Sequence, residues 1–233
     1  MKNIIDEQKF LKDSEKTMIT MLEKINGLGT FNIESLDPLK TLALSIDVNN
    51  GFAKEGLLSS SRVKDLIPAT RELLMYLANI GVQVVAYSDS HTDESIELEN
   101  YVVHCKEGTS ESEIVDELKC IPNLIVKPKN STNGFVAFNP LNNKEMNYLN
   151  LTQDDLDNME VIIITGDCTD ICIYQFVMTL KAYLNQHNKK VQIVVPLNLV
   201  DTYNSPDHNA DLMNVVFVNS MIDNGINVVK NIV

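Results

Sequence analysis

Six short apolar segments alternate with helical segments along this chain, and that alternation limits the folds it can adopt. The apolar segments are residues 41–46, 82–87, 124–126, 161–165, 191–195 and 226–229. Strands that are apolar along their whole length are typical of a parallel sheet with helices on both faces, because both faces are then buried. The pattern therefore predicts a single α/β domain with a doubly wound, mainly parallel sheet.

Helices are predicted where apolar residues recur every three or four positions. Between the strands, these segments are residues 63–80, 111–118, 171–184 and 210–222. An earlier periodic stretch from Phe10 to Ile25 ends at Gly27 and predicts a helical N-terminal extension over residues 1–40, ahead of a main domain over 41–233. A polar, Asn-rich stretch at 139–157 is interpreted as a surface insertion.

The charge balance argues against a nucleic acid or a membrane as partner. The 233 residues include 19 Lys+Arg and 32 Asp+Glu, which gives a formal net charge of −13. Phosphate backbones and anionic headgroups repel such a surface, so a small molecule is the expected ligand. We find neither a leader-type apolar segment at the start nor a run of about 18 apolar residues, so a cytoplasmic protein is expected. The sequence leaves open whether the chain forms a homo-oligomer.

Reactive side chains follow the predicted strands. Asp47 follows the first, Lys127 and Lys129 follow the third, and a loop leading to Cys172 follows the fourth. The carboxyl ends of parallel strands meet at one edge of a sheet, where ligands bind. A helix start at Cys172 and a nearby ammonium would favour the thiolate, and Asp47 could take the thiol proton and return it to a leaving amine. The alternative is a turn-capping aspartate, a solvated lysine and a core cysteine.

A second group of side chains offers metal-ligand chemistry. Asp89 and His91 project to the same side of an extended segment, and Glu97 or Glu99 together with His104 could complete a site. Carboxylate oxygens and imidazole nitrogens suit Zn, Fe or Mn. The alternative is a solvated acidic loop. Two further histidines are given no role: His187 and His208.

Four short motifs occur in a fixed order. They are LSIDVNNGF at 44–52, SDSH at 88–91, HC at 104–105 with GT at 108–109, and GDCTDIC at 166–172. They resemble, in turn, the D-V-Q-N-D-F strand end, the D-x-H metal motif, the H-C…G-T pair and the G-x-x-T-D-x-C nucleophile loop of the isochorismatase-like cysteine hydrolases, and within them of the nicotinamidases. The resemblance extends from about residue 41 to the C-terminus.

The resemblance assigns roles in the reaction. It implies that Cys172 is the nucleophile, Asp47 the acid and base, and a lysine the third member of a triad. Lys129 is the preferred lysine, because residues 133–135 then lie where the family carries S-A-F, and Lys127 is the reserve. It also implies a cis peptide bond before Cys168, whose N–H group and that of Cys172 would face an oxyanion.

The resemblance also implies a substrate pocket and a metal. Phe52 would pack on the substrate ring, and Cys168 would contribute to substrate binding. One divalent transition metal, Zn, Fe or Mn, would be held by Asp89, His91 and His104, with Glu97 as a fourth ligand.

The function implied is the hydrolysis of nicotinamide to nicotinic acid and ammonia through a cysteine thioester. Residues 49–51 read N-N-G instead of Q-N-D, and Ser90 replaces an aromatic residue, so the pocket wall departs from the family pattern. A related carbamoyl or ureido amidase is one alternative, although such relatives usually lack the D-x-H motif. A non-catalytic binding module is another, against which the joint presence of Asp47, a lysine and Cys172 argues.

Overall fold

The computed structural model describes residues 6–137 and 158–233, and these form a parallel sheet between layers of helices. The strands are β1 (Thr30–Phe31), β2 (Thr41–Ile46), β3 (Gln83–Asp89), β4 (Ile125–Lys129), β5 (Val161–Asp167), β6 (Gln192–Pro196), β7 (Val200–Asp201), β8 (Asn227–Val229) and β9 (Asn231–Ile232). The α-helices are α1 (Glu7–Asn26), α2 (Asn50–Ala53), α3 (Ser61–Asn79), α4 (Asp116–Lys119), α5 (Gly134–Ala137), α6 (Tyr174–Gln186) and α7 (Ala210–Asp223). The predicted doubly wound α/β class is confirmed.

The main sheet runs in the order β4-β3-β2-β5-β6-β8, and β7 extends it by pairing with the end of β5. Neighbouring strands are parallel throughout. The carboxyl ends of β4, β3, β2 and β5 therefore lie side by side at one edge. β1 and β9 form a small separate parallel pair.

Each face of the sheet covers its own apolar core. On one face, Leu44 and Ile46 of β2 belong to the cluster that includes Phe176 of α6. On the other, Ala43 of β2 belongs to the cluster that includes Leu74 of α3. Successive strand residues point to opposite faces, so a strand serving two cores must be apolar at nearly every position. This explains why the strands appear as unbroken apolar runs in the sequence.

The N-terminal segment contains the helix α1 followed by the strand β1, and its description as a helical extension over residues 1–40 stays a prediction. α1 lies against α7, where Lys24 pairs with Asp223, and β1 then pairs with β9. The domain boundary placed at residue 41 stays a prediction, and the insertion predicted at 139–157 lies outside the described residues. Within the described part of the chain, none of the helices is long and apolar enough to cross a bilayer.

The predicted helix at 111–118 is wrong. A single 3-10 turn, Ser110–Ser112, and the short α4 stand in its place. The residues between them bond to the chain after β2 instead: the Val115 N–H donates to the Val48 carbonyl at 3.0 Å, and the Asn50 N–H donates to the Glu113 carbonyl at 2.9 Å. These contacts hold the segment extended, and its apolar residues pack into a core rather than along a helix.

The ends of β2 and β5 approach each other closely. Gly166 of β5 has φ +116°, and a Cβ there would lie 1.9 Å from the Ile46 carbonyl oxygen, so only glycine fits. Asp47, the next residue after β2, has φ +56°, a left-handed conformation that is uncommon outside glycine. Unusual backbone conformations of this kind concentrate at functional sites.

Candidate active site

Three side chains predicted from the sequence meet at the sheet edge. Lys129 ends β4, Asp47 follows β2, and Cys172 lies in a π-helical turn, Thr169–Ile173, directly after β5. The Lys129 Nζ atom lies 2.9 Å from the Asp47 Oδ2 atom and 4.0 Å from the Cys172 Sγ atom. All three residues are buried. Lys127, the reserve lysine, lies two positions earlier in β4 and is partly exposed.

Lys129 also reaches the neighbouring strand. In the register of the sheet it lies opposite Asp89, and its Nζ atom is 2.7 Å from the Asp89 Oδ1 atom. Burial alone lowers the pKa of Lys129, but Asp47, Cys172 and Asp89 outweigh it and hold that pKa well above the ordinary value. Lys129 therefore remains an ammonium group between two carboxylates.

The pKa values of the two carboxylates that contact Lys129 shift in opposite directions. Burial raises the pKa of Asp47 to about 6, although Lys129 opposes the shift. Burial also raises the pKa of Asp89, but Lys129 and the imidazoles of His104 and His91 outweigh it and bring that pKa below its ordinary range. At neutral pH Asp47 is thus a carboxylate whose proton affinity suits a general base.

The cysteine differs from the sequence-based expectation of a thiolate. Burial raises the pKa of the Cys172 thiol well above its ordinary value, and the favourable charge of Lys129 does not overcome this. Removal from water penalises a thiolate here more than one ammonium at 4.0 Å compensates. A thiol with a raised pKa becomes nucleophilic only when a base removes its proton, and Asp47 is the nearest predicted candidate.

A cluster of three metal-ligand side chains adjoins this group. The Asp89 Oδ2 atom lies 2.9 Å from the His91 Nε2 atom and 3.1 Å from the His104 Nε2 atom. Their candidate ligand atoms all lie within 4.8 Å of one another, and all three residues are buried. Asp89 belongs to both groups, with one oxygen toward Lys129 and the other toward the histidines.

The orientation of the imidazoles fits a bound cation. The His104 Nδ1 atom is 2.7 Å from the Val102 carbonyl oxygen, which can only accept, so this nitrogen carries a proton. Burial alone lowers the pKa of His104, but the hydrogen bonds to Asp89 and to the Val102 carbonyl outweigh it and raise that pKa, so Nε2 donates a proton to Asp89 here, and a cation between the two atoms could take the place of that proton. The His91 Nδ1 atom is likewise held, 3.0 Å from the Ser95 hydroxyl. Such outer hydrogen bonds commonly orient metal-binding histidines, and this donor set suits Zn, Fe or Mn.

Glu97 does not join this cluster. It lies in a 3-10 turn, Ile96–Glu99, and its carboxylate accepts hydrogen bonds from the Thr132 N–H at 2.8 Å and from the Thr132 hydroxyl at 2.7 Å. Glu99, the other carboxylate considered, is exposed. Glu97 instead fixes the chain that follows β4, and its role as a ligand stays a prediction.

A pocket opens above these groups. Several of its lining residues come from the sequence-based set: Phe52, Asp89, Glu97, His104, Cys168 and Cys172. Its walls also include Tyr101, Ile171 and Tyr203. A mainly apolar pocket with a few convergent polar groups is typical of a small-molecule site.

The turn that carries Cys172, Thr169–Ile173, and the peptide bond just before it show two further features. The peptide bond between Asp167 and Cys168 is cis, as the resemblance implies, while the oxyanion role of the nearby N–H groups stays a prediction. Asp170, two residues before Cys172, lies 2.7 Å from the His208 Nε2 atom. Sequence reasoning missed this contact, although Asp170 belongs to the quoted motif, because 38 residues separate the partners. No sequence signal identified Tyr203, which lies in a loop.

Known proteins similar to this chain share its sequence pattern and fold. The Isochorismatase domain family model matches residues 41–224. Nicotinamidase 1 of Arabidopsis thaliana is 30% identical over an alignment of 145 residues, with 58% of this chain and 57% of that protein covered. The chain thus aligns with little more than half the length of that relative.

Solved structures of low sequence identity show the same fold. Nicotinamidase/pyrazinamidase PncA from Bacillus subtilis has a TM-score of 0.62 and 23% identity, covering 82% of this chain and 100% of that chain. The pyrazinamidase of Pyrococcus horikoshii, solved in complex with zinc, has a TM-score of 0.59 and 18% identity, covering 82% and 98%. N-carbamoylsarcosine amidase from Thermoplasma acidophilum has a TM-score of 0.61 and 19% identity, covering 81% and 95%.

The geometry predicts different effects for the two lysines of β4. Lys129→Met removes the ammonium beside Cys172, so the Cys172 thiol should titrate higher and react with iodoacetamide about tenfold more slowly near neutral pH. Lys127→Met, the matched control, should leave that rate unchanged. The rate is measured on the Cys172 peptide by mass spectrometry, with circular dichroism to verify folding. A slower reaction of Cys172 in Lys127→Met and not in Lys129→Met would contradict the assignment of Lys129 as the lysine that acts on Cys172.

Proposed function

This chain belongs to the isochorismatase domain family, and we propose that it is an amidohydrolase that converts nicotinamide to nicotinic acid and ammonia. The observation that carries the proposal is the sharing of Asp89 between two groups. One of its oxygens faces Lys129 of the Asp47–Lys129–Cys172 triad, and the other faces His91 and His104. A site for a ring nitrogen and a site for amide attack thus lie next to each other.

The chemistry begins with proton transfer to Asp47. The Asp47 carboxylate takes the proton of the Cys172 thiol, and the sulfur forms a bond to the amide carbon while the C=O electron pair moves onto oxygen. The N–H groups of Cys168 and Cys172 are proposed to stabilise that oxyanion. When the C=O bond re-forms, the C–N bond breaks, and the nitrogen takes the proton from Asp47 and leaves as ammonia.

The second half of the reaction uses the same carboxylate. Asp47 takes a proton from water, the water oxygen attacks the thioester carbon, and the C–S bond breaks to release nicotinic acid. The Cys172 sulfur then recovers its proton from Asp47. Lys129 keeps its charge throughout and holds Asp47 in place.

Because Asp47 must start as a carboxylate and its pKa is raised to about 6, the rate of ammonia release should fall as the pH is lowered through that value.

The residues that would hold the metal are Asp89, His91 and His104, with Glu97 the predicted fourth ligand. When bound, a divalent transition ion would supply a Lewis acid that accepts the pyridine nitrogen and orients the ring. Phe52 lines the pocket beside His104, and the centroids of the two side-chain rings are 5.5 Å apart. Phe52 is proposed to pack against the pyridine ring of the substrate. A carbamoyl substrate offers no ring nitrogen, which is why this cluster favours nicotinamide.

Ammonia release tests the proposed substrate. The wild-type protein should release ammonia from nicotinamide and not from N-carbamoylsarcosine, and Cys172→Ala should lower the rate on the order of a thousandfold or more, because no other group replaces the nucleophile. Cys120→Ala, which removes an exposed thiol, is the matched control and should retain full activity. Ammonia release from N-carbamoylsarcosine alone would favour the carbamoyl amidase alternative, and retained activity in Cys172→Ala would contradict the covalent mechanism.

Elemental analysis tests the metal. We expect about one Zn, Fe or Mn per chain, lost in His91→Ala together with nicotinamide binding, while Cys172 still reacts with iodoacetamide. His187→Ala, a change at an exposed histidine, should keep the metal. A wild-type protein that contains no metal, takes up none on incubation with Zn²⁺ and still hydrolyses nicotinamide would contradict this part of the proposal.

A further inference from the structure

Tyr203 lines the pocket, but the reaction outlined above does not use it. It lies in the loop between β7 and α7 and is half-buried. Its ring stacks on the imidazole of His208, with the centroids 4.0 Å apart and the planes at 7°. A nearly parallel stack at this distance supports one face of the tyrosine ring, which restricts where that part of the pocket wall can lie.

His208 is in turn held from two sides. Its Nε2 atom lies 2.7 Å from the Asp170 Oδ2 atom, and its Nδ1 atom lies 3.0 Å from the Tyr203 carbonyl oxygen. The loop also closes on itself: the Ser205 N–H donates to the His208 carbonyl at 2.9 Å, and the His208 N–H donates to the Ser205 carbonyl at 3.1 Å. Side chain and backbone contacts therefore fix both the position and the tilt of the imidazole.

The anchor of this arrangement belongs to the nucleophile turn. Asp170 lies in Thr169–Ile173, the same π-helical turn that contains Cys172, and its side chain is only 6% exposed. A part-buried hydrogen bond to a carboxylate at 2.7 Å is a firmer contact than the exposed pairs elsewhere on the surface. The contacts from Asp170 to His208 and from His208 to Tyr203 thus link the turn that carries the Cys172 sulfur to the wall of the pocket.

We propose that Tyr203 is a specificity-determining wall of the pocket and that His208, anchored by Asp170, is the positioning residue that fixes its ring. The wall would favour a flat heteroaromatic amide, since Phe52 and Tyr101 supply further aromatic surface to the same pocket. The substrate class rests on the proposed function, whereas the positioning of Tyr203 by His208 does not depend on it.

A fluorescent reporter tests the positioning without any substrate. The chain contains no tryptophan, so Tyr203→Trp introduces a single indole fluorophore at the wall. Adding His208→Asn should make this indole about twofold to tenfold more sensitive to acrylamide quenching, because the stacking partner is lost. His187→Asn on the same background is the matched control, since His187 also lies against a tyrosine, with ring centroids 4.2 Å apart, and its Nδ1 atom also faces a tyrosine carbonyl oxygen. His187→Asn should leave the acrylamide quenching of the indole unchanged.

Kinetics with the native Tyr203 test the specificity. His208→Asn should raise the KM for nicotinamide about twofold to tenfold and leave kcat within about twofold, because the lost stacking acts on binding. Equal quenching with and without His208, or the same effect from His187→Asn, would overturn the positioning. A fall in kcat at unchanged KM would overturn the specificity role. A protein inactive on nicotinamide would instead contradict the proposed function, and the quenching comparison would still decide the positioning.

Discussion

The ammonium group of Lys129 lies fully buried between the carboxylates of Asp47 and Asp89, at 2.9 and 2.7 Å, and the site depends on this contact. Buried charges are costly unless they are paired, so these three side chains constrain one another. One cation cannot fully compensate two carboxylates. Burial raises the pKa of Asp47 to about 6 in spite of Lys129, and the second oxygen of Asp89 faces two imidazoles that fit a further cation. The candidate base Asp47 and the candidate metal-ligand cluster are therefore joined through the two carboxylates that pair with Lys129.

The sheet order brings these charges together. β4, β3 and β2 are consecutive neighbours, so Lys129, Asp89 and Asp47 end or follow adjacent parallel strands, with Lys129 directly opposite Asp89 in the register. On the other side of β2, the close approach of Gly166 to Ile46 brings the end of β5, and with it the turn that carries Cys172, against the same edge. The strand order and one glycine thus bring together, at one edge of the sheet, side chains that lie far apart in the sequence.

Much of this arrangement could be predicted from the sequence, because unbroken apolar runs identify the parallel strands and the residues at their ends identify the edge where Asp47, Asp89, Lys129 and Cys172 meet. Burial and distant contacts could not be predicted in the same way. The raised pKa of the Cys172 thiol results from its burial. The extended chain at 113–115 results from hydrogen bonds to residues 48–50. The stack of Tyr203 on His208 depends on a loop without periodicity.

The most direct test of the account is to identify the covalent intermediate. Protein mixed with nicotinamide and quenched in acid during turnover is digested, and the cysteine peptides are examined by mass spectrometry. The account predicts a nicotinoyl group in thioester linkage to Cys172 in the wild-type protein, and its loss when hydroxylamine is added before digestion. An acyl group found instead on Cys168, which lines the same pocket, or the absence of any acylated cysteine during rapid turnover, would contradict it.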